Sequence, residues 1–159
     1  MTEYLTSIFD LFFNIENSLI VMFASAFLSS TLLPGNSEIV FSALATQSLP
    51  KGLQAGIWLW FFATLGNSLG SLTTYGLAYL VPQPQADKWQ NKRAQWALRS
   101  SQKYGVWMLL LSWLPVVGDL LCGVAGWLRF NPWQSALFIA LGKGLRYGVI
   151  LWGIWAWMS

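Results

Sequence analysis

The sequence contains no histidine and a single cysteine, Cys122. Without histidine, the side chain that most often shuttles protons near neutral pH is missing, so proton transfer must use carboxylates, lysine or tyrosine. One cysteine excludes an intrachain disulfide and a metal site built from several cysteines. Cys122 lies in an apolar run and is predicted to be a small buried side chain. We therefore expect no metal ion and no other cofactor.

Charged side chains are also scarce, at 9% of the 159 residues against roughly 25% in soluble domains. Hydrophobic residues make up 55%, and the eleven tryptophans belong to a type that collects at bilayer interfaces. This composition predicts an all-α integral membrane protein with one membrane domain. The first cationic side chain is Lys51, so the N-terminus lacks the basic region of a secretory signal. We expect direct, multi-pass insertion into the cell's own inner membrane.

Two apolar regions are each broken by a proline that is followed four residues later by an acid. Residues 31–38 read TLLPGNSE and residues 112–119 read SWLPVVGD. The runs beside the first break, 18–33 and 39–49, would reach roughly 24 and 16 Å as helices, less than the roughly 30 Å hydrocarbon core. Such short, interrupted pairs predict re-entrant helical hairpins in protein-lined surroundings. The predicted hairpin breaks are Pro34, Gly35, Pro115 and Gly118.

A longer apolar stretch follows each hairpin, and a basic stretch separates the two halves. Five of the nine basic residues lie within residues 87–103, which predicts an amphipathic surface helix on the cytoplasmic side and not a nucleic-acid site. The predicted segments are an amphipathic interfacial helix at 1–17, hairpins at 18–49 and 104–128, transmembrane helices at 53–81 and 132–158, and the basic helix at 86–103.

The two long stretches resemble each other at their centres. Residues 65–70 read LGNSLG and residues 141–146 read LGKGLR. Each half is therefore predicted to be a hairpin followed by a span. With the connecting basic helix in the cytoplasm, the two halves have opposite orientations. Inverted repeats with interrupted short segments are typical of transporters, whose substrate site lies near the bilayer midplane.

Four ionisable residues lie in apolar surroundings: Glu38, Asp119, Lys143 and Arg146. Placing each at a helix centre costs about 2.5–3.5 kcal/mol, so we expect them to face the interior and one another. Lys143 and Arg146 share a helix face, to which Tyr147 adds a hydroxyl. Together with inward-pointing helix N-termini, they predict a site for a phosphate-like anion. Glu38 or Asp119 would take up a proton to balance the added charge.

These motifs resemble the DedA family, also called the SNARE-associated Golgi or VTT-domain superfamily, and most closely its YqaA-like branch of small bacterial inner-membrane proteins. The similarity covers residues from about 18 to 157. The resemblance implies two re-entrant hairpins in an inverted repeat and proton-coupled translocation of an anionic phospholipid or polyprenyl phosphate. Two positions depart from the family pattern. Ser112 and Gly118 replace an arginine pair, and Ser71 replaces an acid that precedes Tyr75.

Three classes of function are compatible with this pattern. The leading prediction is a lipid-phosphate transporter or flippase, with membrane lipids as partners; a homodimer is also compatible with the sequence. In the second class the chain is a non-transporting scaffold or assembly factor whose ion pairs are architectural. The third is an intramembrane enzyme using Asp119 and Glu38. It has the weakest support, because the tyrosine-aspartate motif of intramembrane aspartyl proteases is missing, and we expect no enzymatic activity.

Overall fold

The computed structural model describes residues 15–31, 36–82, 105–115 and 117–158. Every secondary-structure element in these parts of the chain is helical. Most of the predicted N-terminal amphipathic helix, the Pro34 and Gly35 break, and the predicted basic helix at 86–103 lie outside the described residues.

The first two helices, α1 (Ile15–Thr31) and α2 (Asn36–Ser48), form what we call the N-terminal pair. Helix α1 begins inside the segment predicted as the interfacial helix, so residues 15–17 belong to this pair. Glu38 lies in the first turn of α2. A short 3-10 turn, Leu49–Lys51, then leads through Gly52, at φ 128°, into the next helix.

Two long helices carry the site. Helix α3 spans Leu53–Leu80 (28 residues), and α5, the last helix, spans Pro132–Met158 (27 residues). Helix α5 begins with a proline, whose missing N–H costs nothing at that position. The Asn131 side chain caps it by accepting hydrogen bonds from the backbone N–H groups of Trp133 and Gln134, at 3.0 and 3.3 Å.

Within the described residues, α5 is the one helix that is both long and apolar enough to cross a membrane. Helix α3 has the length, but polar side chains interrupt its middle. Three of these, Asn67, Ser68 and Ser71, are buried against the rest of the protein. The side chains that α3 exposes include Phe61, Leu65 and other large hydrophobic residues, so its outer surface remains apolar.

The second interrupted region consists of a nine-residue 3-10 helix, Gly105–Trp113, and helix α4 (Val117–Trp127), together the C-terminal pair. Such a long 3-10 helix is unusual. Pro115 lies in the turn between them. The prediction that Gly118 breaks the hairpin is wrong: Gly118 lies within α4, and its N–H donates to the Leu114 carbonyl at 3.0 Å.

Each pair of helices has its own hydrophobic cluster. The cluster at the N-terminal pair contains Met22, Phe41 and Leu59, and Tyr147 of α5 completes it. The cluster at the C-terminal pair contains Leu109, Ile139 and the fully buried Cys122, as predicted for this cysteine. Because α3 and α5 contribute to both clusters, they hold the two pairs together. The polar residues of the site come from α3, α5 and one helix of each pair, α2 and α4.

Candidate functional site

Two ion pairs join the acids of the short helices to the cations of α5. Lys143 Nζ lies 2.5 Å from Asp119 Oδ1, and the Arg146 guanidinium pairs with Glu38. The Lys143 side chain is fully buried, and that of Arg146 is 7% exposed. The carboxylates are more accessible, at 19% for Asp119 and 30% for Glu38. The cations therefore lie inside the protein, and the acids lie between them and the exterior.

Tyr147 connects the arginine pair to α3. Its hydroxyl donates to Ser37 Oγ at 2.9 Å and accepts a hydrogen bond from Asn67 Nδ2 at 2.9 Å. The same amide lies 3.5 Å from Ser37 Oγ, so the three side chains form a closed group. All three are at least 98% buried. Because Ser37 precedes Glu38 in α2, this group fixes the position from which Glu38 reaches Arg146.

Ser71 connects the other ion pair, Lys143 with Asp119, to α3. Its hydroxyl donates to Asp119 Oδ1 at 3.1 Å, the oxygen that also receives Lys143. Ser71 replaces an acid of the family pattern, and a carboxylate here would face Asp119 and repel it. A hydroxyl instead donates to the existing acid. The departure from the pattern is therefore consistent with the pairing of Asp119.

The contacts of the two short-helix pairs are related by the sequence repeat. Aligning residues 65–70 with 141–146 matches Asn67 with Lys143 and, one position beyond, Ser71 with Tyr147. At the N-terminal pair, Ser37 contacts Asn67 and Tyr147. At the C-terminal pair, Asp119 contacts their counterparts, Lys143 and Ser71. Equivalent positions of the two long helices thus meet the two short-helix pairs, with the roles of α3 and α5 exchanged.

The N-terminal turns of α2 and α4 carry acids of their own. Glu38 and Asp119 lie in these first turns, where the helix dipole favours negative charge. We predicted that the N-termini would help to bind a phosphate-like anion. In the structure this polarity acts on the protein's own carboxylates, so an incoming anion would have to compete with them.

Close packing explains why two family arginines have no counterpart here. A Cβ on Gly118 would collide with the Ser112 backbone, and one on Gly142 would collide with the Ser112 hydroxyl. Ser112 is fully buried. Neither Ser112 nor Gly118 has room for a long side chain. The buried cations of the described residues come from α5 instead.

The structure pairs the four predicted ionisable residues, Glu38 with Arg146 and Asp119 with Lys143. It places Tyr147 in the hydrogen-bonded group with Ser37 and Asn67. Sequence reasoning did not assign Ser37, Asn67 and Ser71 to the site. A signal was present, since Asn67 aligns with Lys143 in the repeat and Ser37 precedes an acid. Among the described residues, no three His, Cys, Asp or Glu side chains are grouped so as to hold a metal ion.

Replacing Tyr147 by phenylalanine is expected to lower the free energy of unfolding by about 1–3 kcal/mol, because the buried Asn67 and Ser37 lose their shared partner. Denaturation of the purified protein in micelles measures this. Tyr79→Phe is the matched control, since Tyr79 is 40% exposed and should change stability by less than about 0.5 kcal/mol. Equal effects of the two substitutions would show that the Tyr147 hydroxyl has no special role.

Comparison with known proteins identifies the family. The model of the VTT domain matches residues 33–154, which include both ion pairs and both long-helix centres. The chain belongs to the VTT-domain family. This match confirms the resemblance to the DedA family. No solved structure matches the chain.

Relatives of this VTT-domain protein are bacterial. It is 53% identical to an uncharacterised protein of Haemophilus influenzae over 138 residues, which cover 85% of this chain and 86% of the relative. It is 48% identical to the inner membrane protein YqaA of Escherichia coli K12 over 130 residues, 82% of this chain and 86% of the relative, and to YqaA of Shigella flexneri to the same extent. Together with the composition, these relationships identify a protein of the bacterial inner membrane in the YqaA-like branch.

Proposed function

We propose that this protein moves an anionic lipid, a phospholipid or a polyprenyl phosphate, across the inner membrane in a proton-coupled cycle. One observation carries the proposal: two buried cations on neighbouring turns of α5 are each paired with an acid from a different short-helix pair. Intramembrane ionisable residues are costly, and they mark substrate and proton pathways in transporters. Arg146 and Lys143 would hold the phosphate, with Tyr147 as an additional donor.

The net charge of the four ionisable side chains links binding of the anion to uptake of a proton. With both pairs ionised, the four side chains are neutral together, and each cation is occupied by its own carboxylate. A phosphate that displaced Glu38 or Asp119 would leave an uncompensated negative charge in a poorly solvated interior. Protonation of the displaced acid removes that charge and frees the cation. Binding of the anion and uptake of a proton at Glu38 or Asp119 are therefore linked.

The proposal includes a topology in which both short-helix pairs are re-entrant hairpins and α3 and α5 are spans. The exchanged contacts of the repeat support an inverted arrangement, because equivalent positions of α3 and α5 meet the two hairpin tips. Inverted repeats of this kind place a substrate site at the midplane and open it alternately to either side.

Arg146→Ala is expected to weaken binding of phosphatidylglycerol, an anionic phosphodiester lipid, about tenfold to a hundredfold, which corresponds to loss of hydrogen bonds to a charged group. Binding is measured by titrating the purified protein in nanodiscs with labelled lipid. Lys51→Ala is the matched control, because it removes one positive charge at an exposed position. Equal binding by the Arg146→Ala variant and the wild type would refute the proposed headgroup site.

The proton link predicts that, between about pH 8 and about pH 5, phosphatidylglycerol binding strengthens as the pH falls, because displacement of an acid by the phosphate is accompanied by uptake of a proton. A phosphodiester keeps its charge over this range, so the change reports on the protein. Glu38→Gln and Asp119→Asn imitate the protonated acids and should flatten the pH dependence. If uptake by reconstituted vesicles and its pH profile stay unchanged in both variants at normal expression, the coupling scheme is wrong.

A scaffold without transport is the second candidate. The observation that favours it is that each cation is already paired with an acid within the protein, as expected for ion pairs that only lock helices together. In that case the variants of Glu38 and Asp119 would change stability but not lipid binding.

A further inference from the structure

A groove between α3 and α5 lies on a different face from the ion pairs. It has a volume of about 680 Å³, within the range of ligand-binding cavities. Its walls are almost entirely hydrocarbon and include exposed side chains such as Leu141, Leu145 and Trp152. Small residues, among them Gly144 and Gly148, leave the space open. In a membrane protein such a groove is accessible to lipid chains.

Two hydroxyl groups interrupt this apolar lining. Thr64 and Ser68 stand one helical turn apart on α3, and both line the groove. Their oxygen atoms are buried and have no hydrogen-bond partner among the residues that the structure describes. Ser68 is 94% buried, and it belongs to the wall of the groove. Buried hydroxyls without partners are costly, and a ligand with acceptor atoms would satisfy them.

We propose that the groove binds an acyl chain of a glycerophospholipid, with the chain's ester carbonyl accepting hydrogen bonds from Thr64 and Ser68. The inference rests on the proposed function and specifies its substrate class, because a polyprenyl phosphate has no carboxylic ester and so no ester carbonyl. Ser68 directly follows Asn67, and Gly144 directly follows Lys143. Because successive helix residues point about 100° apart, these neighbours place the groove and the charged network on different faces of the two long helices.

The alternative occupant is a helix of a second copy, since Gly144 and Gly148 form a small-residue spacing that permits helix association. This chain already uses those glycines internally. A Cβ on Gly144 would lie 3.4 Å from Trp60 and 3.6 Å from Thr64, and one on Gly148 would lie 3.5 Å from Trp60 Nε1. The Trp60 indole also donates to the Gly144 carbonyl at 2.8 Å. The close approach that these glycines allow is thus made by α3 of the same chain.

The test compares two phosphatidylglycerols with identical headgroups and chains, one ester-linked and one ether-linked, each carrying a photoactivatable chain. The purified full-length protein in nanodiscs is labelled, and the cross-linked peptides are mapped. The wild type should bind the ester lipid about fivefold more tightly and be labelled on α3 and α5. Thr64→Val with Ser68→Ala should abolish the preference for the ester while keeping the shape of the groove. Gly148→Leu should reduce labelling of α3 and α5 about tenfold.

Gly153→Leu, on the same helix, is the matched control, because a Cβ on Gly153 meets no atom of the described residues within 4 Å. Equal binding of the ester and ether lipids by the wild type, or equal labelling of the Gly148→Leu variant, would overturn the inference. Cross-links between two chains through this face would also overturn it and assign the groove to a dimer. Arg146→Ala separates this inference from the proposed function. If Arg146→Ala has no effect while Gly148→Leu abolishes labelling, the headgroup site fails and the acyl groove stands.

Discussion

Replacing Lys143 alone by methionine is expected to lower the free energy of unfolding by about 3–5 kcal/mol, because Asp119 would lose its counter-charge in a poorly solvated site and keep only the hydrogen bond from Ser71. Lys143 is fully buried and the Asp119 side chain is 19% exposed, so solvent screens their interaction only weakly. The measurement is denaturation of the purified protein in micelles, followed by loss of helical circular dichroism.

A double variant that removes both Lys143 and Asp119 tests whether this ion pair serves only stability or also transport. The double variant Lys143→Met with Asp119→Leu should recover most of the lost stability, since an apolar pair of similar volume is often as stable as a buried ion pair. Ser71 would then donate to a carbonyl of its own helix. If the pair serves transport, this stable double variant loses lipid uptake. If it retains full uptake, the lysine pair is architectural. A double variant as unstable as Lys143→Met alone would contradict the uncompensated-charge explanation.

Gly66→Val is expected to destabilise the protein on the order of 3 kcal/mol through overpacking. A Cβ at Gly66 would collide with the carbonyl group of Phe23 and lie 3.1 Å from its Cα, so it meets the backbone of α1 rather than a movable side chain. The two helices would have to separate, which also displaces the neighbouring Asn67 from Tyr147. Both the free energy of unfolding and the fraction of monodisperse protein after purification should fall.

Gly76→Val on the same helix is the control for this substitution. A Cβ at Gly76 meets no atom within 4 Å in the described part of the chain, and valine favours a helix slightly more than glycine does. Stability should therefore stay equal or rise by a few tenths of a kcal/mol. Similar losses at the two positions would mean that the cost comes from the helix backbone itself and not from the contact with α1.

Local patterns predicted the long helices well. Helix α5 has the limits expected from the sequence, and α3 ends one residue before its predicted end. Both segments are long, uninterrupted by proline and bounded by glycine or proline signals, so local preference and tertiary packing agree. The interrupted segments were predicted less well. The segment before Pro115 is a 3-10 helix. Gly118 belongs to the helix that follows, and glycine is required there because the Ser112 backbone lies too close for a side chain, not because the helix breaks.

By itself, the sequence determined that the chain is a helical membrane protein of the DedA family with four ionisable residues in apolar segments. Composition and periodicity carry that information, since burying charge in an apolar run is costly wherever the chain folds. Only the tertiary structure decided which acid meets which cation, Glu38 with Arg146 and Asp119 with Lys143. It also decided that Asn67, Ser71 and Ser37 complete the network. These pairings depend on how four helical elements pack against one another, and spacing along a single helix does not encode that arrangement.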